Sequence, residues 1–289
     1  MKARDFGYLL GFRPAARTYG CELVTFTLAV DGLVRYAQWL HPAESRKTIS
    51  QDAVDELRTF IRPGDVAIDI GAHTGDSTIP IALAAGPTGR VLALEPNPHV
   101  YAVLVENAAL NPDSTAILPL NFAATPAPGE FEFQYSDAGY CNGGIHQGTS
   151  RWRHGHAFPL KVRGEHLSRY LQAHHADLVP RLRYIKVDAE GFDAAILETL
   201  DDVITQTHPY LRAEVHKLTG RAQREAMFDF LVDHGYEVFR FESDVHYRGE
   251  PVGRGDLLRW RHYDVFCVPS GQESTATRGH RLRQLTPET

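Results

Sequence analysis

The chain has 289 residues and a formal net charge of −6, a length that suits one large α/β domain. Hydrophobic residues make up 43% and charged residues 23%, which is the composition of a folded core and excludes a disordered chain. Acidic residues outnumber basic ones, whereas proteins that bind nucleic acid need an excess of basic residues to neutralise phosphates. No nucleic-acid partner is therefore expected.

Cysteine usage and hydropathy predict where the protein resides. Cys21, Cys141 and Cys267 lie far apart without a C-x-x-C pair, so neither a disulfide framework nor a cysteine zinc site is predicted. No apolar run reaches the ~20 residues of a membrane span, and the start of the chain is unlike a signal peptide. We therefore expect a cytoplasmic protein without stable membrane insertion. The sequence leaves the oligomeric state open.

The first part of the chain predicts a β-hairpin followed by a helix. Residues 22–40 alternate between apolar and polar on either side of Asp31-Gly32, a dipeptide typical of tight turns. Apolar residues at helical spacing predict a helix over 50–61. We expect residues 1–48 to form an N-terminal hairpin extension, 49–268 one α/β domain, and 269–289 a disordered tail.

From Val66 onward, strands and helices alternate, which predicts a mostly parallel, doubly wound sheet covered by crossover helices. The predicted strands are 66–70, 90–95, 117–121, 131–135, 184–188, 210–216, 236–241 and 263–268. The predicted helices are 77–85, 98–110, 165–173, 194–200 and 221–235. Residues 136–155 lack any period and predict a long loop that covers a ligand with aromatic side chains. The aromatic and imidazole side chains of this loop region are Tyr140, His146, Trp152, His154 and His156.

A glycine-containing turn follows the first strand of this predicted sheet. The segment Asp69-Ile70-Gly71-Ala72-His73-Thr74-Gly75 lies between a strand and a helix, where doubly wound sheets bind ligands. Its G-x-x-x-G spacing matches neither the dinucleotide fingerprint nor the phosphate-binding P-loop. Glu95 ends the next strand, where a carboxylate suits a ribose diol. The pattern predicts a cationic nucleoside ligand without a pyrophosphate, and S-adenosylmethionine fits this description.

A second group of polar residues lies near the ends of two later strands. Lys186, Asp188 and Glu190 alternate along one strand, and Glu214 and His216 alternate along the next. Consecutive parallel strands usually lie side by side, so we expect these side chains to meet in the ligand crevice.

These groups have three interpretations. In the first, His216 is the general base for an acceptor hydroxyl, since imidazole ordinarily titrates near neutral pH, while Asp188 faces the cofactor and Glu190 and Glu214 hold the acceptor. In the second, the oxygen-rich cluster binds a divalent metal. In the third, Lys186 pairs with Glu190 or Glu214 in a salt-bridge network beneath the site. We predict the first, without a metal.

Several motifs of this sequence, taken in their order along the chain, resemble those of the FkbM-type methyltransferase family. They are Asp69–Gly75, Leu94–Pro98, Asn121–Ala123, Tyr184–Phe192 and Glu214–His216. The resemblance covers residues 49–268 and implies a Rossmann-like methyltransferase fold that uses S-adenosylmethionine. His73 stands where the family often has asparagine, and we assign it a backbone role. The cofactor-binding residues expected from the loop, from Glu95 and from the resemblance are Asp69, Gly71, Ala72, His73, Thr74, Gly75, Glu95, Asn121, Phe122, Ala123 and Asp188.

The resemblance also implies a reaction, because members of this family mostly methylate hydroxyls. We therefore predict an S-adenosylmethionine-dependent O-methyltransferase acting on a small metabolite, a sugar or a lipid-linked glycan. Two alternatives stay open. One is a nicotinamide-dependent oxidoreductase, against which the missing third glycine counts, and the other is a non-catalytic module that binds S-adenosylmethionine.

Overall fold

The computed structural model describes residues 17–135, 143–144 and 158–271. The predictions for most of the loop 136–155, for the tail beyond residue 271 and for Cys141 lie outside the described residues. So do the proposed ligand-covering residues Tyr140, His146, Trp152, His154 and His156. Cys21 and Cys267 are free thiols.

The strands and helices alternate along the chain. The strands are β1 (Cys21–Leu28), β2 (Gly32–Trp39), β3 (Val66–Ile70), β4 (Arg90–Leu94), β5 (Ile117–Leu120), β6 (Ala123–Ala124), β7 (Gly129–Tyr135), β8 (Gly143–Gly144), β9 (Phe158–Glu165), β10 (Leu182–Val187), β11 (Tyr210–Val215), β12 (Tyr236–Ser243), β13 (His246–Pro251) and β14 (Tyr263–Pro269). The α-helices are α1 (Gln51–Leu57), α2 (Thr78–Ala85), α3 (Pro98–Ala109), α4 (Leu167–His174), α5 (Asp193–Thr199), α6 (Asp201–Thr207) and α7 (Arg221–Asp233).

An eight-stranded sheet within the described residues forms the centre, in the order β13-β12-β14-β11-β10-β3-β4-β5. Strands β11, β10, β3, β4 and β5 are mutually parallel, and β14, β12 and β13 extend the sheet by antiparallel pairing. Helices α1 to α3 cover one face and α4 to α7 the other. The predicted mostly parallel, doubly wound α/β sheet is confirmed.

The chain order reverses between β3 and β10, which places the ligand crevice. From β3 the chain continues to β4 and β5 on one side, and it returns later to β10 and β11 on the other. In such sheets ligands bind beyond the carboxyl ends of the strands at this reversal. Strand β3 is buried along its whole length because helices cover both faces, and Asp69 is its one charged residue.

The predicted N-terminal hairpin is present as a separate two-stranded sheet. Its strands β1 and β2 meet at Leu28 and Gly32, and Gly32 takes the left-handed φ of +72° that the turn requires. Tyr36 packs in a buried cluster with side chains of α1 and α2, and Trp39 packs against α3. The division of the chain into an extension, a domain and a tail stays a prediction.

Four described strands, β6, β8, β9 and β13, and one α-helix, α6, were not predicted from the sequence. Strand β9 contains proline and glycine, and it pairs with β6 and β7 in a second, smaller sheet. Strand β13 is mostly polar and is held by pairing with β12. Helix α6 begins directly after α5, without a helix-breaking residue between them. The predicted helix 165–173 begins at Leu167 instead, because Glu165 still belongs to β9.

In the described ranges, every helix is too short or too polar to cross a lipid bilayer.

Candidate active site

The glycine loop between β3 and α2 has an unusual backbone. Gly71 and Gly75 have φ values of +77° and +94°, and His73 between them has +49°. The Gly71 N–H donates to the carbonyl of Leu94 at 3.1 Å. A Cβ atom on Gly71 would collide with the carbonyl oxygen of Asp188 at the end of β10. The loop therefore needs glycine at this position to pass between the ends of two neighbouring strands.

Asp69 precedes this loop and fixes its position through hydrogen bonds and an ion pair. Its carboxylate accepts hydrogen bonds from Ser77 Oγ at 2.8 Å and Thr78 Oγ1 at 2.7 Å, which fixes the first turn of α2. Its other oxygen lies 3.3 Å from Lys186 Nζ. Asp69 is fully buried and does not line the cavity described below. Its role is to hold the loop and a buried lysine.

Lys186 connects the two halves of the site. Its ammonium lies 3.3 Å from Asp69 and 3.4 Å from Asp188. Burial opposes its charge, but the two carboxylates outweigh burial and raise the pKa of Lys186. The interpretation that paired Lys186 with Glu190 or Glu214 is wrong in its partners, since the described ion pairs of Lys186 are with Asp69 and Asp188.

A cavity of about 830 Å³ opens above the reversal between β3 and β10. The predicted site residues that line it are Gly71, His73, Glu95, Phe122, Ala123, Asp188 and Glu190. The predicted site residues outside its lining are Asp69, Ala72, Thr74, Gly75, Asn121, Glu214 and His216. The structure therefore brings the ends of β3, β4, β5 and β10 to one cavity and leaves the predicted residues of β11 behind it.

Glu95 lines the cavity from the end of β4. Its carboxylate accepts from the backbone N–H of His73 at 3.1 Å and of Asn97 at 2.8 Å. Burial raises the pKa of Glu95, although the nearby His73 and these N–H donors counteract it. Each carboxylate oxygen keeps further acceptor capacity toward the cavity, as binding of a ribose diol requires. Asn121 lies just outside and donates to the carbonyls of Glu95 and Pro96.

Polar groups next to Glu95 fit a polar ligand. Both ring nitrogens of His73 are buried, and within the described structure neither has a hydrogen-bond partner. The ring lines the cavity, together with the apolar side chains of Phe122 and Ala123. A ligand with an apolar ring system and polar substituents would satisfy these atoms, and the nucleoside with an amino-acid tail predicted from the sequence has this chemistry.

The turn after β10 also lines the cavity. Glu190 has a φ of +52°, and Gly191 follows with +99°. A left-handed conformation in a residue other than glycine costs about 1–3 kcal/mol and is typical of functional sites. The half-exposed Glu190 carboxylate lines the cavity, as does that of Asp188. The charge of Lys186 lowers the pKa of Asp188.

His216 lies directly behind Glu190. Its Nε2 is 3.7 Å from Glu190 Oε2, and its Nδ1 accepts a hydrogen bond from the backbone N–H of Leu218 at 3.3 Å. In the neutral imidazole, an accepting Nδ1 leaves the proton on Nε2, which then points toward Glu190. The ring therefore faces the Glu190 carboxylate at a distance longer than a hydrogen bond. The sequence-based role as a base facing the acceptor stays a prediction.

Glu214 is the most unusual acid of the group. It is buried, with Oε1 2.7 Å from His262 Nε2, whereas Oε2 has no hydrogen-bond partner within the described structure. Burial, followed by the charges of Asp193 and Asp188, raises the pKa of Glu214 to about 8. Burial likewise raises the pKa of Asp193 to about 7, and its carboxylate accepts from the Glu214 N–H at 3.0 Å.

Replacing Glu214 by glutamine should stabilise the protein in alkaline solution. A carboxyl group with a raised pKa binds its proton more tightly in the folded than in the unfolded chain, so stability falls as pH rises from about 4.5 to about 8. Glu214→Gln should remove this loss and add about 1–3 kcal/mol at pH 9, with little change at pH 4.

Urea unfolding between pH 4 and 9 measures this difference, with Glu198→Gln on the exposed face of α5 as the control. A pH dependence equal in wild type and Glu214→Gln would show that Glu214 is ionised in the folded protein.

Other residues of the cavity were not found from the sequence. Phe131, Phe133 and Tyr135 project from β7 at two-residue spacing and form an aromatic wall. Burial and the neighbouring Glu95 charge raise the pKa of Tyr135. The alternation of aromatic residues predicts a strand but not that it faces the ligand. Lys47 and Arg212 also line the cavity, and each pairs with two carboxylates.

Comparison with known families identifies the family of this chain. Residues 69–238, which run from the glycine loop to β12, match the model of the methyltransferase FkbM domain. The chain belongs to this family. FkbM methyltransferases use S-adenosylmethionine, so the predicted fold and cofactor are confirmed. Membership of a methyltransferase family means that the alternative of a nicotinamide-dependent oxidoreductase is no longer supported.

Individual relatives are more distant. Methyltransferase sdnD of Sordaria araneosa is 27% identical over 202 residues, which cover 61% of this chain and 75% of the relative. Among solved structures, Aeropyrum pernix fibrillarin with bound S-adenosyl-L-methionine has a TM-score of 0.42 and 13% identity, covering 89% of this chain and 100% of that one. Precorrin-6y C5,15-methyltransferase of Geobacter metallireducens has a TM-score of 0.40 and 14% identity, covering 78% and 92%.

Proposed function

We propose that this chain transfers the methyl group of S-adenosylmethionine to a hydroxyl of a small metabolite, a sugar or a lipid-linked glycan. The observation that carries the proposal is the position of the Glu190 carboxylate, which lines the same cavity as Glu95 and the glycine loop. One cavity thus combines groups suited to a nucleoside with a carboxylate able to take an acceptor's proton. The free thiols of Cys21 and Cys267 support a cytoplasmic location.

The residues near Glu95 would hold the cofactor. Glu95 would accept hydrogen bonds from the ribose hydroxyls, and Phe122 and Ala123 would contact the adenine. Gly71 and His73 would lie along the amino-acid part, where the His73 ring nitrogens have no hydrogen-bond partner among the described residues. The carboxylates of Glu95, Asp188 and Glu190 suit a positively charged ligand. S-adenosylmethionine supplies an electrophilic methyl group on its sulfonium when bound.

The residues near Glu190 would prepare the acceptor. Glu190 would accept the proton of the acceptor hydroxyl, whose oxygen would receive the methyl group from bound S-adenosylmethionine, with S-adenosylhomocysteine as the leaving group. The Nε2 proton of His216 would orient Glu190 electrostatically across 3.7 Å, and Glu214 lies in the same group, within 4.8 Å. Asp188 is a weaker base, since its ion pair with Lys186 lowers its pKa. Alignment of the reacting atoms supplies much of the remaining rate enhancement.

Transfer of an isotope-labelled methyl group tests the proposal. The protein is incubated with [methyl-¹³C]-S-adenosylmethionine and panels of sugars, hydroxylated metabolites and glycolipids. We expect a labelled O-methyl product in NMR and one S-adenosylhomocysteine per product. Label on nitrogen, carbon or sulfur would contradict the hydroxyl acceptor, and binding without transfer to any panel would favour the non-catalytic module.

Glu95→Ala should weaken binding of S-adenosylhomocysteine by about 1–3 kcal/mol, because the ribose loses its hydrogen-bond acceptor. Calorimetric titration measures the affinity, with Asp113→Ala on the exposed surface after α3 as the control. Wild-type affinity in Glu95→Ala would contradict the ribose assignment. The same instrument should record no binding of NAD to the wild type.

Methyl transfer should survive exhaustive chelation with EDTA. Glu190, Glu214 and His216 place their ligand atoms within 4.8 Å of one another, as a metal site would. An Nδ1 that accepts from the Leu218 N–H favours the tautomer with its proton on Nε2, and a protonated nitrogen cannot bind a cation. Loss of transfer on chelation, with recovery in Mg²⁺ or Mn²⁺, would instead make these three residues ligands.

A further inference from the structure

Two side-chain amides at the C-terminal end of α3 hold the edge of the N-terminal hairpin. On α3, the side chain of Asn107 accepts from the Ala37 N–H at 2.6 Å and donates to the Ala37 carbonyl at 3.1 Å. One turn later, Asn111 makes the same two contacts with Arg35, at 2.9 and 2.8 Å. Two side-chain amides thus satisfy alternate residues on the edge of β2, as a neighbouring strand would.

Asn107 makes one contact that Asn111 lacks. Its amide also donates to the carbonyl oxygen of Thr74, in the glycine loop, at 2.7 Å. The side chain is buried, and each of its polar atoms has a partner. One residue therefore joins β2 of the hairpin directly to the loop proposed to hold the cofactor.

A second contact joins the same two segments. The hydroxyls of Tyr36, on β2, and Thr74 lie 2.6 Å apart, and both residues are fully buried. Thr74 was predicted to bind the cofactor, but its side chain faces the hairpin. Past the hairpin, Lys47 adds an ion pair of 3.0 Å with Asp76, at the end of the loop.

The loop needs such support because of its backbone. His73 is held at a φ of +49°, which an L-residue adopts only when its surroundings enforce it. Its N–H reaches Glu95 on one side, and the next residue, Thr74, is fixed from the hairpin side. The contacts with β2 thus act on the residue that follows the strained position.

We propose that the N-terminal hairpin contributes to cofactor binding. In this proposal Asn107 and Tyr36 are positioning residues that hold the glycine loop in its binding conformation. This inference rests on the proposed cofactor site. Neither side chain lines the cavity, so both act through Thr74.

The comparison of Asn107→Ala with Asn111→Ala tests the proposal. Both variants lose a buried amide that holds β2, and only Asn107→Ala loses the contact with Thr74. We expect S-adenosylhomocysteine to bind at least tenfold more weakly to Asn107→Ala, about 1.4 kcal/mol, and within twofold of wild type to Asn111→Ala. Thermal unfolding of both variants reports the structural effect that they share.

A milder pair of variants keeps the test decisive if Asn107→Ala fails to fold. Tyr36→Phe removes only the hydroxyl next to Thr74, and Tyr236→Phe removes a buried hydroxyl that donates to the Pro209 carbonyl at 2.8 Å, far from the loop along the sheet. We expect a three- to tenfold loss of affinity in Tyr36→Phe and none in Tyr236→Phe.

Reciprocal coupling provides an independent readout. Because binding that depends on the hairpin must also stabilise it, S-adenosylhomocysteine should slow hydrogen exchange at residues 35–37 in the wild type and less so in Tyr36→Phe. Equal affinity in Tyr36→Phe and Tyr236→Phe, with unchanged exchange at these residues, would overturn the proposal. Absence of binding to the wild type would instead overturn the proposed cofactor site.

Discussion

Gly71→Ala should lower the affinity for S-adenosylhomocysteine by about 10²-fold. Its added Cβ atom would collide with the Asp188 carbonyl, and the φ of +77° is strained for any residue with a side chain. Strain and overpacking of this kind each cost about 1–3 kcal/mol, and relief requires the loop to move away from β10. Because Asp188 and Glu190 follow β10, the glycine loop and these two lining residues would change together.

Calorimetry with S-adenosylhomocysteine measures this effect, and circular dichroism checks the fold. Gly255→Ala is the matched control, because its Cβ would enter open space and its backbone is not left-handed. A folded Gly71→Ala that binds with wild-type affinity would show that the loop is only a turn between a strand and a helix.

Glu190→Gln should lower the single-turnover rate of methyl transfer by ~10²–10⁴-fold while cofactor affinity changes little. A general base contributes about this much, and glutamine keeps the size of the side chain but cannot take a proton. The rate is measured with an acceptor found in the labelled panel. Glu130→Gln, on the exposed face of β7, is the control.

A His216 variant separates the two candidate bases. If His216 orients Glu190 through Nε2, His216→Ala should lose about tenfold in rate, because Glu190 remains able to accept the proton. If His216 is itself the base, as the sequence predicts, His216→Ala should lose ~10²–10⁴-fold and Glu190→Gln much less. That second pattern would contradict the assignment to Glu190.

The central strands were predictable because strands that are buried on both faces have a recognisable apolar sequence. The predicted strand 66–70 matches β3, and the predicted strands 90–95 and 210–216 each extend one residue beyond β4 and β11. In the sequence, such strands are short apolar runs between turn residues. Where they end, the chain order alone placed Gly71, Glu95, Asp188 and Glu190 at one edge of the sheet, and the cavity contains all four.

The direction of individual side chains was not predictable. Thr74 faces Tyr36, which is 38 positions earlier in the chain, and this contact exists only once the hairpin has docked. His216 is turned by the Leu218 N–H, a local contact that its spacing from Glu214 does not reveal. The left-handed Glu190 is equally hidden, since a φ above zero is expected at glycine and not at glutamate. Tertiary contacts decide these details.

A crystal structure of the complex with S-adenosylhomocysteine tests the central claim most directly. It should show the ribose hydroxyls on the Glu95 carboxylate, the adenine against Phe122, and the sulfur atom facing Glu190 across the cavity. The loop from Gly71 to Gly75 should keep its backbone conformation, with Thr74 still bonded to Tyr36 and Asn107. A ligand bound outside this cavity, or one whose sulfur points away from Glu190, would contradict the proposed site and its base.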